Sequence, residues 1–352
     1  MSAGSEAEPV VSLVVVCYDG SESLRACVES LLADCMPERE IFVVDNASRD
    51  DSRDVIAALA RDHPGLHVAL CSENLGYAGA VNRVLPDCRG RYVGVLNMDI
   101  VAEPGWLAPL VTFLDEHPEV GAANPLIALQ DGNTINALGQ AVHITGLGFN
   151  RGLGDARAGV ASAPIAIAGI QGAAFLVRRA LLDEIGGMDA SGFLYHEDVN
   201  LSWLLRLMGH RLYCVPSSVV RHDYFLSMHP EKLFLLERNR LAMLLTHLRP
   251  ITRLALAPML ALTEAMLWGY ALLRGPAFLR AKLRSYAWLW RTRGERAERR
   301  RRVQGLRQRG DAELLGAMQW RYAWRQLATL ATQKGAPRRH FDSGSSIDRG
   351  AD

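Results

Sequence analysis

An α/β fold with a mostly parallel central sheet is predicted by two features of the sequence. Apolar, β-branched runs recur without the polar alternation of a half-exposed strand, and each is followed by a segment whose apolar residues fall at helical spacing. Strands buried on both faces and alternating with helices imply a sheet covered on both sides. Val11 to Cys17 is the first run, and Leu24, Cys27, Val28, Leu31 and Leu32 within Ser23 to Leu32 form the first helical face. A strand at Ile41 to Val44, a helix at Asp51 to Asp62, a strand at His67 to Cys71, a helix at Ala78 to Leu85 and a strand at Tyr92 to Leu96 continue the alternation. After Pro104 a helix is expected from Trp106 to Glu116 and a short strand from Val120 to Pro125. Residues 130–164, rich in Gly, Asn and Ala, read as irregular structure over the sheet. Regular structure resumes at Ala173 to Val177, with helices from Arg179 and through His196 to Met208 and a strand pair around Leu212 to Val220.

The 352 residues suffice for one large domain or two moderate ones. Apolar residues make up 49%, and 39 Lys+Arg against 38 Asp+Glu leave a formal charge of +1, which excludes wholesale disorder and gives no sign of a nucleic-acid partner. Six cysteines without CxxC or another metal-ligand spacing read as reduced core residues. The N-terminal MSAGSEAEPV has no basic n-region and the apolar run after it is too short for a signal peptide, so a cytoplasmic catalytic portion is expected. Four regions are expected: a disordered N-terminus at 1–9, the α/β domain at 10–245, an amphipathic and basic helical region at 246–332, and a mobile tail at 333–352.

Ligands of an open parallel sheet bind at the carboxyl ends of its strands, so polar residues directly after the apolar runs are the first candidates. Here they are Tyr18 and Asp19, Asp45 and Asn46, Asn74, and Asn97 to Asp99. Any one of them is an ordinary turn former or cap, but their recurrence at one sheet edge points to a site. The first strand ends in CYDGSES, without GxGxxG, and no GxxxxGK[ST] occurs, which argues against dinucleotide and P-loop chemistry. Asn97-Met98-Asp99 sets two oxygen-bearing side chains two residues apart on an extended segment, pointing to one side as capture of a divalent cation needs.

An ordered set of segments carries a resemblance. Tyr18, VVDNAS at 43–48, ENLGYAGAVN at 73–82, LNMDI at 96–100, GAAFLVRR at 172–179, IGGMD at 185–189, YHEDVNLSW at 195–203, Gly209, Pro216 and His222 together resemble family 2 glycosyltransferases of the GT-A fold, especially the bacterial rhamnosyltransferase-like branch. The resemblance covers about residues 10 to 245 and implies a GT-A nucleotide-sugar-binding domain there. It assigns Tyr18, Asp45, Asn46, Asn74, Gly76, Asn82 and Asn97 to donor binding, and Asp99 and His222 to a Mg²⁺ or Mn²⁺ ion, Asn97 and Asp99 forming the N-x-D version of the DxD motif. It makes Asp198 the base that deprotonates the acceptor hydroxyl, with Glu197, Gly172 and Trp203 as acceptor-side or orienting residues. The implied chemistry is a single displacement at the anomeric carbon with inversion, the base activating the incoming hydroxyl while a nucleoside diphosphate departs. Asp19, Asn200 and Leu204 depart from the family's usual residues.

The apolar stretch Leu254 to Leu273 is long enough for a membrane span, but Glu264 at its centre and Pro258 oppose insertion. Leu279, Leu283, Tyr286 and Trp290 beside Arg280, Arg284 and Arg291 suggest a helix lying in the membrane interface, and Arg299 to Arg302 a polybasic patch for anionic lipid. The expectation is therefore an inverting glycosyltransferase, peripheral on the inner face of the cell membrane, serving cell-envelope polysaccharide synthesis. Its partners would be a dTDP- or UDP-linked sugar, with rhamnose suggested by the resemblance, a saccharide or polyprenyl-linked acceptor and an anionic membrane surface. Alternatives are a sugar nucleotidyltransferase, which would need a Gly-rich, Arg- and Lys-bearing loop where CYDGSES stands, and a non-catalytic saccharide- or membrane-binding scaffold.

Overall fold

The computed structural model describes residues 9–36 and 38–332. The N-terminus expected to be disordered, Pro9 apart, and the tail expected to be mobile lie outside the described residues. The chain divides into two compact units. The first takes the chain up to Gln140, Asn150–Ser191 and His210–Tyr224; the second takes Ala141–Phe149, Gly192–Gly209 and the chain from Phe225. The division does not fall at residue 245, where composition shifts.

The first unit is built on a mixed sheet. Its strands are β1 (Val11–Cys17), β2 (Arg39–Asp45), β3 (Leu66–Leu70), β4 (Tyr92–Asn97), β5 (Ile100–Ala102), β6 (Val120–Leu129) and β7 (Ile135–Ala137), followed, after β8 (Gln140–Val142) and β9 (Gly148–Asn150), by β10 (Ile165–Ala166), β11 (Ala174–Arg178) and β12 (Arg211–His222). Spatial order is β10-β12-β6-β11-β4-β1-β2-β3, with β5 on β12 and β7 on β6, while β8 and β9 form a separate two-stranded sheet. β3, β2, β1 and β4 run parallel, as do β6 and β12, but β11 enters antiparallel to both β4 and β6. The expected mostly parallel sheet is thus a mixed one. Every residue of β1 is buried, which is why its sequence shows no alternation. Helices α1 (Ser21–Leu32), α2 (Ser52–Asp62), α3 (Gly76–Val84), α4 (Leu107–Glu116) and α5 (Arg179–Ile185) cover the sheet, α1 burying Leu24, Cys27, Val28 and Leu31.

Three local expectations are corrected. The strand pair around Leu212 to Val220 is one strand, β12, whose register shifts between Val215 and Val219 absorb Pro216. Residues 130–164 carry β7, β8 and β9, strands of three residues each and too short for a periodic signal. Cys35 is exposed, while the other five cysteines are buried and free, burial pushing the Cys17 thiol up to about 11.

The second unit is helical: α6 (Glu197–Leu207), α7 (Pro230–His247), α8 (Pro250–Ala255), α9 (Ala257–Arg274), α10 (Pro276–Arg291), α11 (Arg293–Leu306), α12 (Asp311–Gly316) and α13 (Trp324–Thr332). Residues 254–273 fall in two helices that break at Leu256, with Pro258 in the first turn of α9, where its missing N–H costs nothing. Among the described residues no helix is long and apolar enough to cross a membrane. Glu264 turns inward to Arg240, 2.6 Å away, and to Lys282, 2.8 Å away. On α10 the buried face is Phe278, Ala281, Lys282, Ser285 and Leu289, so of the four apolar residues of the expected interfacial stripe only Leu283 and Trp290 are exposed, beside exposed Arg280, Arg284 and Arg291. In the basic run, Arg300 donates to the carbonyls of Leu245, Thr246 and Leu248 and caps the C-terminus of α7.

Candidate active site

In the first unit the polar groups predicted from strand ends do gather at the carboxyl edge of β1, β2 and β4. Asp45 closes β2 with a fully buried carboxylate that accepts from Arg53 Nε at 2.8 Å and from Ser48 N at 3.2 Å. Asn46 bridges to the loop before α3: its Nδ2 donates to Asn74 Oδ1 (2.9 Å) and to the Gly76 carbonyl (3.2 Å), and its Oδ1 accepts from Leu75 N (2.8 Å). Asn74 Oδ1 also accepts from Gly76 N at 2.9 Å, so these three residues form one network. Gly76 sits at φ +73°, a conformation that suits glycine. Asp19, where the chain departs from the family's usual residue, takes φ +50° and accepts from Arg49 N at 2.6 Å, tying the loop after β1 to the loop after β2.

Tyr18 is buried, and its N–H faces Met98 Sδ. Met98 fills the space a side chain at residue 20 would need: a Cβ on Gly20 would stand 2.0 Å from its sulfur. β4 ends at Asn97, and Met98 and Asp99 form a turn before β5. The extended geometry expected of Asn97-Met98-Asp99 is replaced by this turn, which buries Met98 and leaves Asn97 and Asp99 partly exposed. Gly172 accepts from the Tyr77 hydroxyl at 3.1 Å, just before β11.

Asp99 and His222 meet although 123 positions separate them (222 − 99). The antiparallel pairing of β5 with β12 sets His222 opposite Ile100, and Asp223 N donates to the Asp99 carbonyl at 3.1 Å. His222 Nε2 then lies 3.2 Å from Asp99 Oδ1, without the alignment of a hydrogen bond, so this shielded oxygen has no hydrogen-bond partner among the described residues. His222 Nδ1 faces Asn136 Oδ1 on β7 at 2.9 Å, and in the tautomer that carries its proton on Nδ1 the Nε2 lone pair is turned toward Asp99. A carboxylate oxygen and an imidazole nitrogen converging with no hydrogen bond between them suit a divalent cation. Among the described residues no group of three or more His, Cys, Asp and Glu gathers, so further coordination positions would fall to a ligand and water.

Asn82 is held elsewhere: its Nδ2 donates to the Met188 carbonyl and its Oδ1 accepts from Met188 N, both at 2.8 Å. Its amide clips the IGGMD segment to α3 through both of these backbone contacts.

In the second unit Glu197 and Asp198 open α6. The loop before them holds Phe193 (φ +64°), Tyr195 (+65°) and His196 (+73°) in the left-handed region, at about 1–3 kcal/mol each for side-chain-bearing residues. Asp198 is buried, its Oδ1 accepts from Val199 N at 2.8 Å, and Ser202 Oγ donates to its carbonyl at 2.6 Å. Burial and then the adjacent Asp198 charge hold the Glu197 carboxyl well above the ordinary carboxylate range. Burial and then Arg240 push the His196 imidazole down to about 3, so it stays neutral. Trp203 is fully buried, edge-on to His247 with ring centroids 6.3 Å apart.

Asn136, Arg53 and Asn124 were not legible as site residues from the sequence. Asn136 and Asn124 are buried polar residues with long-range partners, Asn124 donating to the carbonyls of Gln171 and Ala174, and Asn124 alone stands out in the sequence, as a polar residue within the apolar run Val120–Leu129.

Residues 12–186 match the family model described as Glycosyl transferase family 2. An N-acetylglucosaminyl-diphospho-decaprenol L-rhamnosyltransferase of Mycobacterium tuberculosis is 28% identical over 238 residues, covering 60% of this chain and 76% of that protein. Among solved structures, a mannosyltransferase from Pyrobaculum calidifontis in complex with GDP-Man and Mn²⁺ matches with a TM-score of 0.52 at 18% identity, over 92% of this chain and 88% of that one. GalNAc-T7 with UDP, GalNAc and Mn²⁺ matches with a TM-score of 0.55 at 18% identity, over 68% of this chain and 48% of that one. These two likenesses show the fold.

Proposed function

Residues 12–186 carry a glycosyl transferase family 2 domain with the GT-A fold, and from that premise we propose that the chain is an inverting, divalent-metal-dependent transferase of a sugar from a nucleoside diphosphate, in the rhamnosyltransferase-like branch of the family. The observation that carries this reading is the convergence of Asp99 Oδ1 and His222 Nε2 at 3.2 Å with no hydrogen bond between them. A cation held there, Mg²⁺ or Mn²⁺, would neutralise charge developing on the diphosphate leaving group. Asp45, Asn46, Asn74 and Gly76 form the shelf for base and ribose, with Tyr18 and Asn97 beside it. Asp198 takes the proton of the acceptor hydroxyl, and Glu197, held protonated at neutral pH by burial, keeps a second negative charge away from that base.

The acceptor we propose is a lipid-linked saccharide of cell-envelope polysaccharide synthesis and the donor sugar rhamnose from dTDP-rhamnose, on the likeness to the decaprenol-linked rhamnosyltransferase. Docking to an anionic membrane surface is supported by an apolar exposed face on α8 and α9. It runs through Ile251, Leu254, Pro258, Leu262, Ala265, Leu272 and Leu273, the last 89% exposed, with exposed Arg249 at its start.

The test is turnover across UDP-, dTDP- and GDP-sugars with Mg²⁺ or Mn²⁺, with the product anomer read by NMR. Metal-dependent transfer from one donor with inverted configuration is expected. Transfer that survives chelation, or retained configuration, would overturn the reading.

A further inference from the structure

Four consecutive residues of α7, Glu237 to Arg240, are buried, and two of them reach the loop that leads into Glu197 and Asp198. Asn239 Nδ2 lies within hydrogen-bond distance of three carbonyls of that loop: Gly192 at 3.0 Å, Leu194 at 3.0 Å and Tyr195 at 2.8 Å. Arg238 donates to the Gly192 carbonyl at 3.0 Å, while its guanidinium lies over Phe234 and Trp288, 4.8 and 4.7 Å from the ring centroids. Lys232, nearly two turns earlier, stands over the Tyr195 ring at 5.0 Å. Gly192 permits the close approach, because a Cβ there would meet Asn239 Nδ2 at 3.0 Å.

These contacts fall on the segment whose backbone most resists its own conformation. Three of the five non-glycine residues with positive φ among the described residues are Phe193, Tyr195 and His196, and a backbone held that way persists only where its surroundings over-determine it. An amide that gathers three carbonyls of one turn fixes the turn's direction, and that direction sets where α6 begins.

We propose that Asn239 is a positioning residue for transfer: it holds the Gly192–Tyr195 turn in its left-handed form and so fixes the first turn of α6, on which Glu197 and Asp198 are carried. This rests on the reading of Asp198 as the base. Arg238 acts with Asn239, clamped between two rings so that its reach to Gly192 costs little further ordering. Asn239 touches no substrate on this account, so its loss acts on the chemical step and leaves donor binding alone.

The experiment compares the full chain with Asn239→Ala and with Asn239→Asp, which keeps the side-chain volume and an acceptor for Arg238 Nε (3.3 Å from Oδ1) but has no Nδ2 donor. Amide hydrogen exchange is read across residues 190–200, donor affinity by titration, and kcat by turnover. The expected result is exchange accelerated in that segment alone, donor affinity within about twofold of the parent, and kcat lowered roughly tenfold to a hundredfold, the scale of a small misplacement of a catalytic group. Adding Phe193→Gly to Asn239→Ala should restore part of kcat, since glycine adopts positive φ without cost, whereas a role in global stability alone would gain nothing from it. Unchanged exchange in the segment in both folded variants overturns the brace, as does a fall in donor affinity equal to the fall in kcat. Asp198→Asn, measured in parallel, separates the two ideas: full turnover there sinks the base reading, while the exchange data still judge Asn239.

Discussion

His222 Nε2 lies 3.2 Å from Asp99 Oδ1 because β5 and β12 pair antiparallel with His222 opposite Ile100, and Asn136 Oδ1 holds the other ring nitrogen at 2.9 Å. The strand register therefore sets the pair, and the asparagine sets the ring. Asn136→Ala is expected to weaken Mn²⁺ binding in the presence of a nucleoside diphosphate by about 10–100-fold, the usual cost of losing the group that orients a metal-binding histidine. Calorimetric titration checks this, and unchanged affinity would show that the ring needs no such partner.

Glu197 makes a second prediction, in stability. Its carboxyl, raised by burial and then by the Asp198 charge, keeps its proton in the folded state to higher pH than in the unfolded chain, where it titrates near 4.5. Above that value the folded state binds more protons, so stability falls as pH rises. Glu197→Gln removes this contribution. Its melting temperature should exceed that of the parent at alkaline pH, and the gap should close below about pH 4.5, where both forms are neutral. A gap independent of pH would contradict the assignment.

The buried charges of the second unit predict an acid limb. Burial raises the Glu237 carboxyl, but Arg240 and Lys282 outweigh it and hold the group down to about 2, and Glu264 is lowered as well. Both partners are themselves buried, Arg240 Nε lying 2.7 Å from Glu237 Oε1 and Lys282 pairing with Oε2. A depressed folded value gives stability that is present above 4.5 and is lost as pH falls toward 2. Glu237→Gln should cost about 3–5 kcal/mol in denaturant unfolding at neutral pH, since two buried cations lose one anion between them. A cost under about 1 kcal/mol would show that water or Glu264 compensates.

The exposed apolar face on α8 and α9 predicts sedimentation with vesicles that contain anionic lipid. Leu254→Glu with Leu273→Glu should reduce the bound fraction severalfold without lowering the melting temperature, because both residues are exposed, at 70% and 89%. Equal sedimentation of variant and parent would move membrane contact to another surface.

Much of the fold was legible from the sequence because its strands are buried on both faces: β1 and β4 are nearly all apolar, and their spacing from the following helices leaves little choice of layer. Asp45 and Asn46 at the end of β2, and Asn74 in the loop after β3, were legible for the same reason, since polar residues that follow an apolar run mark the sheet edge. What the sequence hid was long-range. Nothing local in Ala174–Arg178 says that β11 runs antiparallel between β4 and β6, and three-residue strands such as β5 and β7 carry no period. Motif position alone also does not reveal local contacts: inside the motif segments Trp203 is fully buried and Asn82 is bonded to the Met188 backbone. The Arg299–Arg302 run looked uniform, but Arg300 is drawn inward by the free carbonyls at the end of α7.

The most direct test of the central claim compares donor binding with sugar transfer in Asp99→Ala and Asp198→Asn. Metal-dependent binding of the nucleotide sugar should be lost in Asp99→Ala. In Asp198→Asn binding should persist while transfer falls by about 10²–10⁴-fold, the contribution of a general base. Transfer by Asp198→Asn at the parent rate, or metal-dependent donor binding undiminished in Asp99→Ala, would contradict the account.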